Sequence, residues 1–501
     1  MDYLSFVLYL LLAWIAIHLV LSSTKKDSDS SPRILPPGPP TVPIFGNLFS
    51  LGTKPHISLT ELAKRYGPLM TLQLGRVPTV IISSAVMAKE ALQRNDISFS
   101  NRMVIDAVCA LNHHENSLVW SQVSPKWRNL RKICSSHVFS TNRLDASQSL
   151  RMNKVKDLLS YATKCSEDNT TVDIGQAAFT TILNLLSSTI FSVDLGDPNS
   201  EFTHEFKEIV RGIMEEAGKP NFADYFPLLK KIDPQGIRRR MSVHFQKIID
   251  LFNSMIDKRL QSRKTSDSIQ DNDVLDALLG IDQNKTEKLE PSKIPYLLLD
   301  LFAAGTDTTS STLEWAMAEL LRNPDILKRV KQELCETIGK ENPVQESDII
   351  RLPYLQAIVK ETFRLHPAVP FLVPRKVQSD VNLFGFTVPK NAQVLVNVYA
   401  IGRDPDVWER PELFDPERFI GSEIDVKGCD FELIPFGAGR RICPGLPLAV
   451  RIIHLMLGSL IHGFDWELEG GVSPEMMNME EKFGFTLERD QRLRAIPVVR
   501  V

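Results

Sequence analysis

The segment Phe436-Gly437-Ala438-Gly439-Arg440-Arg441-Ile442-Cys443-Pro444-Gly445 constrains this chain more than any other. It sets one cysteine inside a glycine-rich turn, with Arg441 two residues before it and Phe436 seven before. Glycines let backbone N–H groups close around a sulfur, and a thiolate held that way is a strong, electron-donating ligand for iron. The donor fork of an arginine matches the carboxylates of a planar dianion such as haem. The plainer reading is a glycine-rich turn around an incidental buried cysteine.

The chain has 501 residues, 43% hydrophobic and 24% charged, enough for an extensive core. A chain this long could divide into two or three domains, but no shift in composition marks a border. A net charge of −3 gives no whole-protein attraction to nucleic acid. The six cysteines (Cys109, Cys134, Cys165, Cys335, Cys429, Cys443) show no paired short spacings. That argues against zinc-finger and disulfide-scaffold readings, and for a reducing compartment in which a ligand thiolate stays free.

Leu4 to Leu21 is apolar apart from Ser5 and His18, about one bilayer core long as a helix. Residues 1–21 therefore read as a membrane anchor. Only Asp2 precedes the run, whereas Lys25, Lys26 and Arg33 follow it, which places the rest of the chain in the cytosol. The expected location is the endoplasmic reticulum membrane, crossed once. The alternative is a cleaved secretory signal, although a basic n-region and a small-residue cleavage site are not evident. With the body in the cytosol, the sequons at Asn169 and Asn284 are chance matches, never exposed to glycosylation. Residues 22–40 read as a hinge, polar from Ser22 to Ser31 and then stiffened by Leu35-Pro36-Pro37-Gly38-Pro39-Pro40. A recognition site for a proline-binding module is the other reading of that stretch. Residues 41–501 form the body.

Within the body, Leu69–Leu74 and Thr79–Ile82, split by Gly75 and Pro78, predict a small hairpin. Helical patterns dominate from Ala85 to Leu365, and Gln261–Asp273 reads as a polar surface loop. After Pro367 come prolines and short strands, then a helix from Leu448 to Phe464. The expectation is a single, mainly α domain with a minor β part.

Two further patterns carry chemistry. Ala304-Gly305-Thr306-Asp307-Thr308-Thr309 lies midway along a helical pattern running from about Lys293 to Arg322. Threonine hydroxyls there bond back one turn, loosening the ladder and opening a groove, and an acid beside such a hydroxyl could pass protons. Small residues kept for close packing are the alternative. Glu361 and Arg364 share a helix face at i, i+3 and can pair, and Arg418, in Pro416-Glu417-Arg418-Phe419, could complete a buried triad.

With these motifs in this order, the chain resembles a cytochrome P-450 haem-thiolate monooxygenase over essentially its whole length. The family's Phe-x-x-Gly-x-Arg-x-Cys-x-Gly pattern is matched in full by Phe436, Gly439, Arg441, Cys443 and Gly445. The resemblance implies the cytochrome P-450 fold and haem b, with Cys443 as iron ligand and Arg441 and Arg375 as propionate partners. Trp127 and Arg131 look like the family's haem-contacting pair. Asp307 and Thr308 resemble its acid–alcohol pair, and Glu361, Arg364 and Arg418 its structural triad. It also implies dioxygen as co-substrate and electrons from NADPH through a membrane-bound flavoprotein, NADPH-cytochrome P-450 reductase. Lys126, Arg128 and Lys132 are candidate contacts for that partner, or an ordinary solvated face.

Asp300 to Met317, Glu216 to Asn221 and Asp233 to Gly236 are similar to a plant subfamily containing geraniol 8-hydroxylase and abietane diterpenoid oxidases. By family position, the pocket candidates are Val104, Leu118, Phe302, Ala303, Ala368, Phe371, Val373 and Phe485. Their apolar character suits a small terpenoid. Phe302 and Phe371 point to a modest cavity, and so to a monoterpenol such as geraniol, hydroxylated at position 8. An abietane-type diterpenoid oxidase and a phenolic or alkaloid hydroxylase are the alternatives. Two other classes stand beside these: a haem-thiolate hydroperoxide rearrangement enzyme, and a non-catalytic haem sensor.

Overall fold

The computed structural model describes residues 5–14, 34–196, 201–265, 273–281 and 289–500. Most of the expected anchor (1–4 and 15–21), the polar half of the hinge and the sequon at Asn284 lie outside these residues.

Helices dominate, as expected. In chain order, the longer ones are α1 (Ser5–Trp14), α2 (Pro55–Tyr66), α3 (Pro125–Ile133), α4 (Gln148–Glu167), α5 (Ile174–Phe191) and α6 (Glu201–Gly218). There follow α7 (Ile237–Thr265), α8 (Val274–Ile281), α9 (Ile294–Arg322), α10 (Pro324–Ile338), α11 (Pro353–Leu365) and α12 (Leu446–Gly463). α9 is the axis of the molecule. It is buried nearly all round, most of its own polar residues from Thr306 to Thr312 included, and α5, α6, α7, α11 and α12 pack around it. It begins with Pro295 in its first turn and stops at Asn323, ahead of Pro324. The apolar helices α5 and α12 are long enough to cross a membrane but are mostly buried inside the fold. α1 is apolar and exposed along its described residues.

The β part is small. Strands β1 (Leu69–Leu74), β2 (Val77–Ile82), β3 (Asn101–Arg102), β5 (Arg375–Lys376) and β8 (Gln393–Val396) form one sheet in the order β1-β2-β8-β5-β3. β4 (Val172–Asp173), β12 (Arg494–Val499) and β9 (Phe464–Leu468) form a second. β6 (Val381–Leu383) pairs with β7 (Phe386–Val388), and β10 (Glu481–Lys482) with β11 (Glu488–Arg489). The hairpin β1–β2 forms, but Pro78 belongs to β2 opposite Gln73 rather than to the turn. The ladder to β8 starts only at Thr79, so the N–H that proline lacks is not required there. The proline stretch lies along β1: the Thr71 N–H donates to the Pro37 carbonyl at 2.8 Å. A side chain at Gly38 would meet the Thr71 carbonyl at 1.9 Å.

The expected loop Gln261–Asp273 begins later than the sequence suggested, because α7 continues to Thr265. Arg259 and Arg263 pair with Asp273 and Asp276 at the start of α8, and these pairs hold the last turns of α7 against it.

One polar clasp ties α11 to the chain beyond it. Arg364 binds Glu361 through two parallel bonds, 2.6 and 2.8 Å, and Arg418 donates to Glu361 Oε1 at 3.0 Å. The remaining donors of Arg364 reach the carbonyls of Pro411 and Leu413. Glu361 and the Arg364 side chain are fully buried. Removing one partner of a buried charge network strands the others, so Glu361→Gln should cost about 3–5 kcal/mol. Urea unfolding of the two proteins would measure it, and a loss below about 1 kcal/mol, the value of a surface pair, would contradict the burial argument.

Candidate active site

Cys443 lies three residues before Leu446, the first residue of α12, so the positive end of that helix faces its sulfur. The N–H groups of Gly445 and Leu446 donate to Sγ. Burial pushes the Cys443 thiol up, while those N–H groups and Arg131 oppose it. The cysteine's own N–H donates to the Phe436 carbonyl at 2.9 Å, which closes the turn. Gly439 is required here: its φ is +69°, and a Cβ would meet the Leu92 carbonyl at 2.2 Å. Gly445 has an ordinary φ of −80°, and the nearest atom to an added Cβ is Cys443 Sγ at 3.8 Å. The Phe436 ring packs edge-on against Phe363 of α11, with centroids 5.1 Å apart.

Beside the cysteine stands a group of arginines. Arg441 donates to the carbonyls of Ser100 (2.8 Å), Leu118 (3.3 Å) and Ser121, and its guanidinium lies 4.0 Å from the Trp127 ring centre. Arg375 donates to the carbonyls of Phe99 and Ala438, and its Nε is buried without a partner. Arg102, which sequence reasoning missed, donates to Val119 and Val373 and is also buried. Burial lowers the Arg102 guanidinium well below its usual range, with Arg375, Arg441 and Arg131 adding repulsion. Burial brings Arg441 down to about 9, again with Arg375 and Arg131 adding to it, and Arg375 down to about 10. Asp96 opposes both shifts, but it is already paired with Arg440 at 3.0 Å.

Buried cations with one committed carboxylate require a further anion. The two propionates of a haem fit that requirement, and a caged thiol fits its iron. Arg102 could have been found in the sequence only through the strand it ends: β3 pairs it with Arg375. Trp127 has already committed its indole N–H to the Leu118 carbonyl at 3.0 Å. Lys126, Arg128 and Lys132 stand on the exposed side of α3, opposite buried Trp127 and Leu130.

On α9, the Thr308 hydroxyl donates to the Ala304 carbonyl at 2.7 Å, and Thr306 and Thr312 bond back in the same way. The expected loosening does not interrupt the helix, which is continuous from Ile294 to Arg322. Packing on every side outweighs the low propensity of the threonines. What the segment does provide is an open face: Ala304 is exposed, and Gly305 and Thr308 half-buried, on a helix that is mostly buried. Asp307, one residue away, points elsewhere. It lines a polar cavity of about 130 Å³ together with Lys207, Arg211, Glu314 and Glu488. Its carboxyl is raised to about 7, by burial first and by Glu488 second, and one of its oxygens has no partner. The segment therefore carries an alcohol on one face and a proton-holding acid on another.

A second, apolar cavity of about 960 Å³ is lined by Val104, Phe371 and Phe485 among the expected pocket residues. Met103, Trp120, Leu372 and Phe483 join them. Leu372 also touches the cysteine turn, 3.5 Å from where a Gly437 Cβ would stand, so the cavity adjoins the thiol site. Phe302 does not line it. Its ring is fully buried among Phe191, Phe206 and Phe252, in the core between α5, α6, α7 and α9. Leu118, Ala303, Ala368 and Val373 are not among its lining residues either. Of the two rings from which the sequence suggested a modest cavity, Phe302 and Phe371, only Phe371 lines this one.

Comparison with known proteins agrees with this geometry. The sequence profile of the cytochrome P-450 family matches residues 36–492. The chain is 52% identical to geraniol 8-hydroxylase of Catharanthus roseus over 497 residues, 99% of each chain. It is 54% identical to geraniol 8-hydroxylase of Swertia mussotii over 462 residues, 92% of this chain and 93% of the relative. It is also 54% identical to drimenol monooxygenase of Persicaria hydropiper over 498 residues, 99% and 97% respectively.

The raised carboxyl of Asp307 has a consequence for stability. An unfolded aspartate releases its proton near pH 4, whereas the folded one keeps it to about 7. The native state thus binds more protons across that window, and stability falls as pH rises through it. Glu314, also raised to about 7 by burial, acts in the same direction. Asp307→Asn should therefore flatten, without abolishing, the fall in Tm between about pH 5 and 7.5. An unchanged slope would show that Asp307 ionises normally.

Proposed function

We propose that this chain, which belongs to the cytochrome P-450 family and is a haem monooxygenase, hydroxylates a small apolar terpenoid alcohol, geraniol at position 8 first among candidates. The observation that carries this reading is the identity to two geraniol 8-hydroxylases across nearly the full length. The apolar cavity beside the cysteine turn supports it.

Bound haem supplies an iron centre at which dioxygen is activated with electrons from a redox partner. Cys443 would hold the iron through a thiolate steadied by the N–H groups of Gly445 and Leu446. Arg102, Arg131, Arg375 and Arg441 would hold the propionates, and Trp127 would flank them. The clasp of Glu361, Arg364 and Arg418 fixes α11, whose Phe363 sets the ring of Phe436. Thr308 would hold a proton at its Oγ1 on the open face of α9. Asp307, still protonated near neutral pH, would replenish it from the polar cavity behind the helix.

Electrons would come from NADPH through a flavoprotein reductase, for whose acidic surface exposed Lys126, Arg128 and Lys132 offer a basic face. The apolar exposed helix α1 supports a single anchor, with the catalytic domain in the cytosol and the membrane that of the endoplasmic reticulum.

A second reading is favoured by the drimenol monooxygenase relative and by the size of the cavity, which has room for a skeleton larger than geraniol. Yeast microsomes carrying the chain and a plant reductase should convert geraniol, with NADPH, to its 8-hydroxy product. Conversion of drimenol or abietane dienes in its place would select the second reading. Thr308→Ala should lower product formed by about 10²-fold while NADPH use continues and peroxide rises. Product and peroxide in wild-type ratio would remove Thr308 from the proton path.

A further inference from the structure

The turn between β10 and β11, Phe483-Gly484-Phe485-Thr486-Leu487, delivers two rings to the large cavity. It is clamped at both ends by groups far away in the chain. At its far end, the Leu487 carbonyl accepts from Ser311 Oγ at 3.1 Å and Trp315 Nε1 at 3.4 Å, and its N–H donates to the Ala368 carbonyl at 2.8 Å. At its near end, the Glu481 carboxylate lies 2.9 Å from His56 Nε2 and 3.7 Å from His366 Nδ1. His366 turns its other nitrogen to Glu319, at 2.7 Å. The Trp315 ring lies flat on His366, centroids 3.9 Å apart, so the two clamps share one stack.

His56 does more than hold the acid. It is fully buried, and its ring stacks on Phe483 at 5.4 Å with only 9° between the planes. Phe483 in turn meets Phe371 edge-on at 6.0 Å, and both line the cavity. A single imidazole thus fixes a wall ring by stacking and fixes the strand beneath that ring by a hydrogen bond. The acid is held in its charged form: burial would raise Glu481, but the nearby His366 and the bond from His56 outweigh burial and keep it well below the usual carboxylate range.

We infer that His56, acting through Glu481 and Phe483, is a positioning residue that sets the shape of the substrate cavity and thereby its selectivity for apolar chain length. The inference rests on the monooxygenase reading for its setting but not on geraniol as substrate.

The test uses full-length holoenzyme and two iron ligands of different reach, 1-methylimidazole and 1-octylimidazole, each titrated by the shift of the haem absorbance. His56→Leu should bind the methyl compound within about twofold of wild type and the octyl compound about tenfold more weakly. His56→Gln, whose amide N–H restores the bond to the carboxylate but not the stacked ring, should recover octyl binding in part, to about threefold below wild type. Unchanged octyl affinity in His56→Leu, or no recovery in His56→Gln, would overturn the inference. Phe483→Leu removes the stacked ring and leaves the acid–histidine chain in place. It should show the same methyl–octyl split even where His56→Leu fails to load haem, and equal affinities would again overturn the inference. Failure of wild type to bind or oxidise geraniol would sink the substrate reading and leave this comparison intact.

Discussion

Arg102 and Arg441 stand in the field of Arg131 and Arg375, and the carboxylate that opposes the shifts of Arg375 and Arg441, Asp96, is shared with Arg440. Cations so buried are stable only where something negative meets them. Carbonyls of Phe99, Ser100, Leu118, Val119, Ser121, Val373 and Ala438 take part of that load. These carbonyls belong to segments hundreds of residues apart, so the arginines bind the loops that cross the site. The remaining positive charge is the share that a dianionic cofactor would neutralise. Cofactor binding is then also folding energy for these loops.

The thiol depends on a second chain of contacts that starts far from it. Glu361 and its two arginines fix α11. Phe363 of α11 sets the ring of Phe436, and the Phe436 carbonyl receives the N–H of Cys443. A desolvated charge network, costly in isolation, thus orients a sulfur. A wholly apolar contact in its place would fill the volume but would hold no carbonyl or guanidinium in one orientation.

Much of this was legible in the sequence because the relevant constraints are local. The cysteine turn needs particular φ values and donors within ten residues. The bounds of α9 follow from Pro295 and Pro324, and the Glu361–Arg364 pair follows from helical spacing. Arg102 was invisible because nothing near it in the chain marks it, and only the β3–β5 pairing brings it to Arg375. His56 was missed for the same reason: its partner Glu481 lies 425 residues away. Pro78 misled because proline was read as a turn former, whereas β2 has no partner for its missing donor at that position.

Phe302 shows where local reading fails in principle. An amphipathic helix reveals its phase, because the polar stripe says which side faces water. α9 is buried nearly all round, with polar residues such as Asp300, Asp307, Ser311 and Glu319 inside the fold, so its sequence carries no solvent stripe that says which side is open. The phase is set instead by what surrounds it: Phe191, Phe206 and Phe252 receive Phe302, which turns Ala304 and Thr308 to the open face. The same aromatic cluster that removes Phe302 from the cavity thereby aims the threonine. The placement of the alcohol is thus a consequence of packing on the helix face away from it, and substitutions in that distant cluster reach Thr308 through the helix.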